Sequence, residues 1–279
     1  CGETPVLIMT SYASINSAVD SMKAGAADYI AKPFNHDEIL IVTDRLIRQN
    51  VIFRQNQILK REIKQTYPVS GMVGDSNAIK QVFSRIEKVA STDSTVLIYG
   101  ESGTGKELVA RAIHEQGVRK SIPLVTMNCA AIPDSLIESE LFGYEKGAFT
   151  GAEKSTQGLI ESADNGTLFL DEVAELSPSA QAGLLRVLQE GELRRLGSTK
   201  TKRVNVRVLA ATHRDLVARV GQGLFRDDLL YRLKVIEIDL PPLRNRKDDL
   251  PALAEHLLQR IRSKLNREVQ GFSPGAVKK

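Results

Sequence analysis

Gly100-Glu101-Ser102-Gly103-Thr104-Gly105-Lys106 lies between the apolar run Thr95 to Tyr99 and a helical pattern running from Glu107 to Gln116. A Gly-x-x-x-x-Gly-Lys stretch between a strand and a helix is the phosphate-binding loop of nucleotide enzymes. Its glycines let backbone amides turn inward around phosphate oxygens, and the helix N-terminus adds positive potential. Lys106 supplies a mobile cation for the β- and γ-phosphates of ATP. A glycine-rich turn without a ligand is the plain alternative, and the strand-loop-helix setting argues against it. One position departs from the general pattern: Glu107 stands where Ser or Thr usually follows the lysine and binds Mg2+.

Working outward, Thr167-Leu168-Phe169-Leu170-Asp171-Glu172 is an apolar strand ending in two acids. A parallel strand of this kind would meet the phosphate loop at its carboxyl end. Asp171 is then the expected Mg2+ ligand, directly or through water, and Glu172 the group that orients and polarises the attacking water. Two acids at a strand end also suit a helix cap, because Ser177-Pro178 opens a helix nearby.

Short apolar runs at 95–99, 124–128, 167–170 and 204–211 alternate with longer helical ones. Such alternation predicts a buried, mainly parallel sheet between helices, an α/β fold. Residues 248–265 read as a helix that begins a second, all-helical subdomain. Before the α/β region, a strand at 6–9, a helix from Asn16 to Ala24 and a strand at 28–31 predict a βαβ remnant. From Asp37 to Gln65 apolar residues recur at imperfect helical spacing, through Ile39, Val42, Leu46, Phe53 and Ile63. A dimerising helix and a helix packed on its own domain are both open readings. Tyr67-Pro68 ends it, since proline lacks the amide donor. The expected divisions are 1–36, 37–68, 69–242 and 243–279.

The 279 residues are 42% hydrophobic, enough for a sizeable core. The net charge of +4 is a small excess of 38 basic over 34 acidic residues, so charge alone points to no nucleic acid. Two cysteines, Cys1 and Cys129, exclude a disulfide scaffold and fit a reducing compartment. No apolar run approaches the roughly 18 to 20 residues that span a bilayer. Together these features lead to the expectation of a cytoplasmic protein with no membrane partner. A start on Cys1, with a strand almost at once, suggests a fragment.

Glu140-Leu141-Phe142-Gly143-Tyr144-Glu145-Lys146-Gly147-Ala148-Phe149-Thr150-Gly151-Ala152 lies between the two motifs. Here the sequence resembles the bacterial enhancer-binding proteins, the NtrC-like AAA+ activators of sigma-54 RNA polymerase, whose GAFTGA signature matches Gly147 to Ala152. A lone aromatic and a threonine on a glycine-flanked loop suit an exposed tip. The residues alone leave a turn with Phe149 tucked inward equally open. The resemblance covers nearly all of 70–279, makes Glu107 normal for the family, and implies that Gly147, Ala148, Phe149, Thr150, Gly151 and Ala152 touch sigma-54. It further implies that Asn128 holds Glu172 until the subunit is engaged, and that 191–204, with Arg194, Arg195 and Lys200, supports the first loop. Thr212 and His213 resemble the sensor I segment that registers the γ-phosphate. Arg226 and Arg232 match the paired arginine fingers that reach a neighbouring subunit's nucleotide, a task suited to a permanently charged fork.

Residues 1–36 resemble the end of a response-regulator receiver, with Thr10 and Lys32 at its switch positions. The resemblance thus implies an AAA+ core with the start of a helical lid, preceded by a receiver remnant and linker helix, acting as an ATPase ring, a hexamer in the family. Its partners would be sigma-54 and RNA polymerase, a sensor kinase acting upstream of Cys1, and promoter-upstream DNA through a domain beyond Lys279. The lid's sensor II arginine is likewise expected beyond Lys279. Two alternatives remain at this stage: another AAA+ remodelling machine, which has no use for the 147–152 insertion, or a module that binds nucleotide and sigma-54 without hydrolysis.

Overall fold

The computed structural model describes residues 5–11, 20–37, 39–48, 50, 71–265 and 271–272. The chain divides into two compact units, Cys1–Pro68 and Val69–Lys279. In the first unit, β1 (Leu7–Thr10) pairs in parallel with β2 (Asp28–Ala31), Leu7 opposite Asp28 and Thr10 opposite Ala31. A parallel pair needs a crossover, and residues 20–23 are its helical end. Helical residues follow at 39–48, where Leu46 is buried, as is Ile30 on β2. The earlier part of the crossover helix, and the 37–65 helix beyond residue 50, lie outside the described residues.

The second unit is built on five parallel strands: β3 (Val96–Tyr99), β4 (Leu124–Asn128), β7 (Thr167–Asp171), β10 (Arg207–Thr212) and β11 (Ile236–Asp239). Their order is β11-β3-β10-β7-β4. Alternation along these strands feeds two cores, one on each face. Val96, Ile98, Phe169, Leu209, Ala211 and Ile238 pack with α1 (Asn77–Ala90) and α2 (Lys106–Gln116). Leu97, Leu168, Leu170, Val208 and Ala210 pack on the opposite face with α3 (Asp134–Phe142), α5 (Pro178–Glu190) and α7 (Asp227–Leu233). Burial on both faces is why these strands read as apolar runs.

The smaller elements are two hairpins and two short helices. They are β5 (Gly143–Tyr144) with β6 (Thr156–Gln157), α4 (Leu159–Ser162), β8 (Glu192–Arg194) with β9 (Thr201–Arg203), and α6 (Leu216–Gly221). The strand expected over 204–211 begins only at Arg207, because 201–203 are taken up by the second hairpin. Helix α8 (Leu250–Leu265) starts two residues later than expected, since Lys247–Asp249 form a separate tight turn.

Helix α1 shows how sequence sets these boundaries. Ser76 caps it by accepting from the Ile79 amide, and Ile79, Val82, Ile86 and Val89 recur on its buried face. Its far end is closed by Arg207, 2% exposed, which donates to the carbonyls of Val89 at 2.8 Å and Ala90 at 3.1 Å. The guanidinium thus meets the negative end of the helix dipole.

Under α2, buried His114 shares a 3.0 Å hydrogen bond between its Nδ1 and the Thr167 hydroxyl. Burial, with the nearby charges of Arg207 and Arg111, holds the imidazole below its usual 6.5, against an opposing backbone contact from Ile122. The unfolded chain therefore binds this proton first, and stability falls as pH drops through about 6.5 toward the lower folded value. Thermal unfolding at pH 7.5 and 5.5 should show a loss in the wild type that shrinks in His114→Gln. An equal loss in both proteins would remove His114 as its source.

Candidate functional site

The phosphate loop joins β3 to α2. Gly103 and Gly105 have φ of +79° and +102°, a region that side chains rarely adopt, so the turn is available only to glycine-like residues. The Thr104 hydroxyl donates to the Glu101 carbonyl at 2.8 Å, and Ser102 is exposed. Lys106, 7% exposed, donates from Nζ to the carbonyls of Gly100 at 3.0 Å and Glu101 at 3.4 Å, and lies 3.2 Å from Glu172 Oε1. The loop's carbonyls are held on the lysine side. Glu107 turns along its helix to Arg111, 2.7 Å away.

The register Asn128 opposite Asp171 brings the ends of β4 and β7 together beside this loop. Burial raises the Asp171 carboxyl above its usual range, the neighbouring Glu172 charge adds to this, and Lys106 opposes it. For Glu172 burial pushes upward too, but the side-chain and backbone hydrogen bonds from His213, with Lys106, outweigh it and the carboxyl sits low. His213 approaches through Nδ1 at 2.8 Å and its backbone amide at 3.2 Å. Glu172 takes a left-handed backbone, φ +51° and ψ +49°. For a residue other than glycine this costs on the order of 1 to 3 kcal/mol, held in place by the surrounding contacts.

Two of the expected site residues bond to nearby backbone. Asn128 spends its side-chain oxygen on the Ala130 amide at 3.0 Å, capping a tight turn, and the groups in contact with Glu172 are Lys106 and His213. Thr212 is wholly buried, and its hydroxyl accepts from the Arg214 amide at 3.0 Å, whereas the His213 side chain reaches Glu172. Cys129 next to Asn128 is buried, which with the nearby acids pushes its thiol up to about 12 and leaves it inert.

Among the described residues no cluster of three or more His, Cys, Asp or Glu forms a metal cage. The one or two carboxylates at the end of β7 suit a cation such as Mg2+, which keeps several waters and takes phosphate oxygens for the rest.

Arg226 caps the start of α7 and Arg232 lies in its last turn. Arg226 forks onto Asp228 at 2.7 and 3.0 Å, while its amide is held by Gln181 at 2.9 Å. Arg232 is exposed on the last turn. Among the described residues neither arginine forms an ion pair with Asp171 or Glu172 of its own chain.

The 145–152 loop caps the first hairpin. Backbone bonds from Gly147 to Ala152 at 2.9 Å and from Ala152 to Phe149 at 3.0 Å close it. Phe149 remains 43% exposed with its ring edge-on to Tyr144, centroids 4.9 Å apart. Thr150 is exposed, whereas Ala152 is buried at the loop's base. The second hairpin props the first: Leu196 bridges Tyr144, and Arg195 joins Glu145 at 3.0 Å and Glu161 at 2.8 Å. Burial would raise the Glu161 carboxyl, but Lys202 and Arg195 hold it below the usual range. The carboxylates of this network went unnoticed in the sequence, where a glutamate in a four-residue helix carries no signal. Thr10 and Lys32 meet in the first unit, the Lys32 amide donating to the Thr10 carbonyl at 2.7 Å.

Comparison with known proteins bears on this arrangement. Residues 72–239 match the Sigma-54 interaction domain. The transcriptional regulatory protein ZraR of Klebsiella oxytoca is 50% identical over 274 residues, 98% of this chain and 60% of its own. The DNA-binding transcriptional regulator NtrC of Salmonella typhimurium is 46% identical over 270 residues, 97% of this chain and 57% of its own. A crystal structure of NtrX from Brucella abortus aligns with TM-score 0.76 and 36% identity over 99% of this chain and 60% of that one. NtrX in complex with ATP aligns with TM-score 0.74 and 37% identity over 98% of this chain and 57% of that one. The chain thus spans about three fifths of the length of these curated relatives.

Proposed function

Because this chain belongs to the sigma-54 interaction domain family, the NtrC-like transcriptional activators, we propose that it hydrolyses ATP and uses the turnover to remodel a closed sigma-54 polymerase-promoter complex. The observation that carries this reading is the convergence of Lys106, Asp171 and Glu172 where β3 and β7 end. In this proposal the loop amides and Lys106 bind the phosphates, and Asp171 holds Mg2+, which neutralises phosphate charge. Glu172 accepts the proton of the attacking water. The 145–152 loop is the part that touches sigma-54, through Phe149 and Thr150.

The same reading makes 69–242 the ATPase core and 243–279 the start of a lid. Residues 1–36 are then a receiver remnant under a sensor kinase, and 37–68 the receiver's end and a linker helix. No described helix is long and apolar enough to cross a membrane, and a cytoplasmic location belongs to the proposal. Promoter-upstream DNA is a partner of the whole protein.

Among the described residues neither Arg226 nor Arg232 pairs with the carboxylates of its own site, which supports a role in trans within a ring, hexameric in this reading. ATPase rate per subunit should then rise steeply with protein concentration as rings assemble. Trans-acting arginines contribute about a thousandfold or more in related phosphoryl transfers, so the dilute chain should be nearly silent. A rate per subunit that stays flat across the assembly range would remove the trans role.

A further inference from the structure

The segment after β11 runs over the phosphate loop as a strap with three anchors. Arg244 grips both carboxylate oxygens of Glu101, at 2.7 and 2.5 Å. Arg246 donates from Nη2 to the Thr104 carbonyl at 3.1 Å, and its buried Nε has no partner among the described residues. Asp249, 1% exposed, accepts from the Asp75 amide, the Ser76 amide and the Ser76 hydroxyl at 2.7, 2.8 and 2.7 Å. Gly74 makes room for that carboxylate: a Cβ there would lie 2.8 Å from Asp249 Cγ. Between strap and loop lies a cleft of about 280 Å³, bounded by Ser102, Gly103, Thr104, Arg246 and Leu253.

We propose that Arg246 is a positioning residue for the nucleotide, acting through the Thr104 carbonyl, with Arg244–Glu101 and Asp249 holding the strap that carries it. In a trans peptide the carbonyl and the next amide point in opposite directions. A cation on the Thr104 oxygen therefore turns the Gly105 amide the other way, at the helix N-terminus where phosphate binds. Lys106 does the same for the peptides after Gly100 and Glu101. Two cations on the carbonyl side keep the loop's donors facing its ligand, so their reorientation is not left to the moment of binding. The Glu101 side chain is accordingly an anchor for the strap.

The proposal rests on the nucleotide reading above, and its test separates the two. Binding of a fluorescent ADP analogue and steady-state ATP turnover are measured on the whole chain, with melting temperature as control. Arg246→Ala should weaken ADP binding and raise KM about tenfold, the usual consequence of losing a hydrogen bond from a charged donor, with kcat within about twofold. Arg246→Lys should recover part of the loss. Should Arg246→Ala fold poorly, the exposed pair serves instead: Arg244→Glu should weaken binding about threefold, and adding Glu101→Arg should restore it. Wild-type affinity in both Arg246→Ala and Arg244→Glu overturns the proposal, as does a lowered melting temperature with unchanged affinity. A wild-type chain that binds no ADP overturns the nucleotide reading itself.

Discussion

Glu172→Gln is expected to bind ATP with wild-type affinity and to lose turnover by about a hundredfold to ten-thousandfold, the range for removing a positioned general base. The amide fills the carboxylate's volume and leaves the phosphate loop, Lys106 and Asp171 where they are. What it removes is the negative charge that sits between Lys106 and His213. The low-lying carboxyl is ionised at neutral pH, so the wild type always presents an acceptor for the proton of water. The left-handed backbone at 172 aims that acceptor, and glutamine inherits the same conformation. Single-turnover hydrolysis beside equilibrium ATP binding decides the matter: full turnover in the variant would strip Glu172 of its role.

Thr150→Ala is expected to have the opposite profile, with ATPase activity within about twofold of wild type and sigma-54 engagement abolished. The bonds that shape the loop are backbone bonds, between Gly147 and Ala152 and between Ala152 and Phe149. Trimming an exposed hydroxyl therefore leaves the turn standing, and the tie from Arg195 to Glu145 is untouched. A binding assay with labelled sigma-54, run with hydrolysis measured in the same sample, reads both properties. Retained engagement would mean that the loop meets something else.

The fold was legible because β3, β7 and β10 are sealed on both faces, which forces continuous apolar runs, and because the phosphate loop follows one of them directly. Asp171 and Glu172 stood out for the same reason, as charges that end an apolar strand. The partners of Glu172 were not legible. Whether Asn128 or His213 turns toward it depends on side-chain rotation at neighbouring strand ends, about which spacing along the chain says nothing. The strap is illegible for a related reason. Arg244, Arg246 and Asp249 find partners some 140 to 170 residues away, and an arginine in a loop reads the same whether it is solvated or pinned.

Strand β7 has a consequence for how work leaves the nucleotide site. It carries Asp171 at one end, with Glu172 next to it, and, through the short turn before Thr167, is joined to Glu161, on which Arg195 and Lys202 close. A strand packed to solid density on both sides neither bows nor stretches appreciably. In the proposed cycle it would therefore pass a shift at Glu172 toward Glu161, which Arg195 ties to Glu145 on the hairpin that bears Phe149.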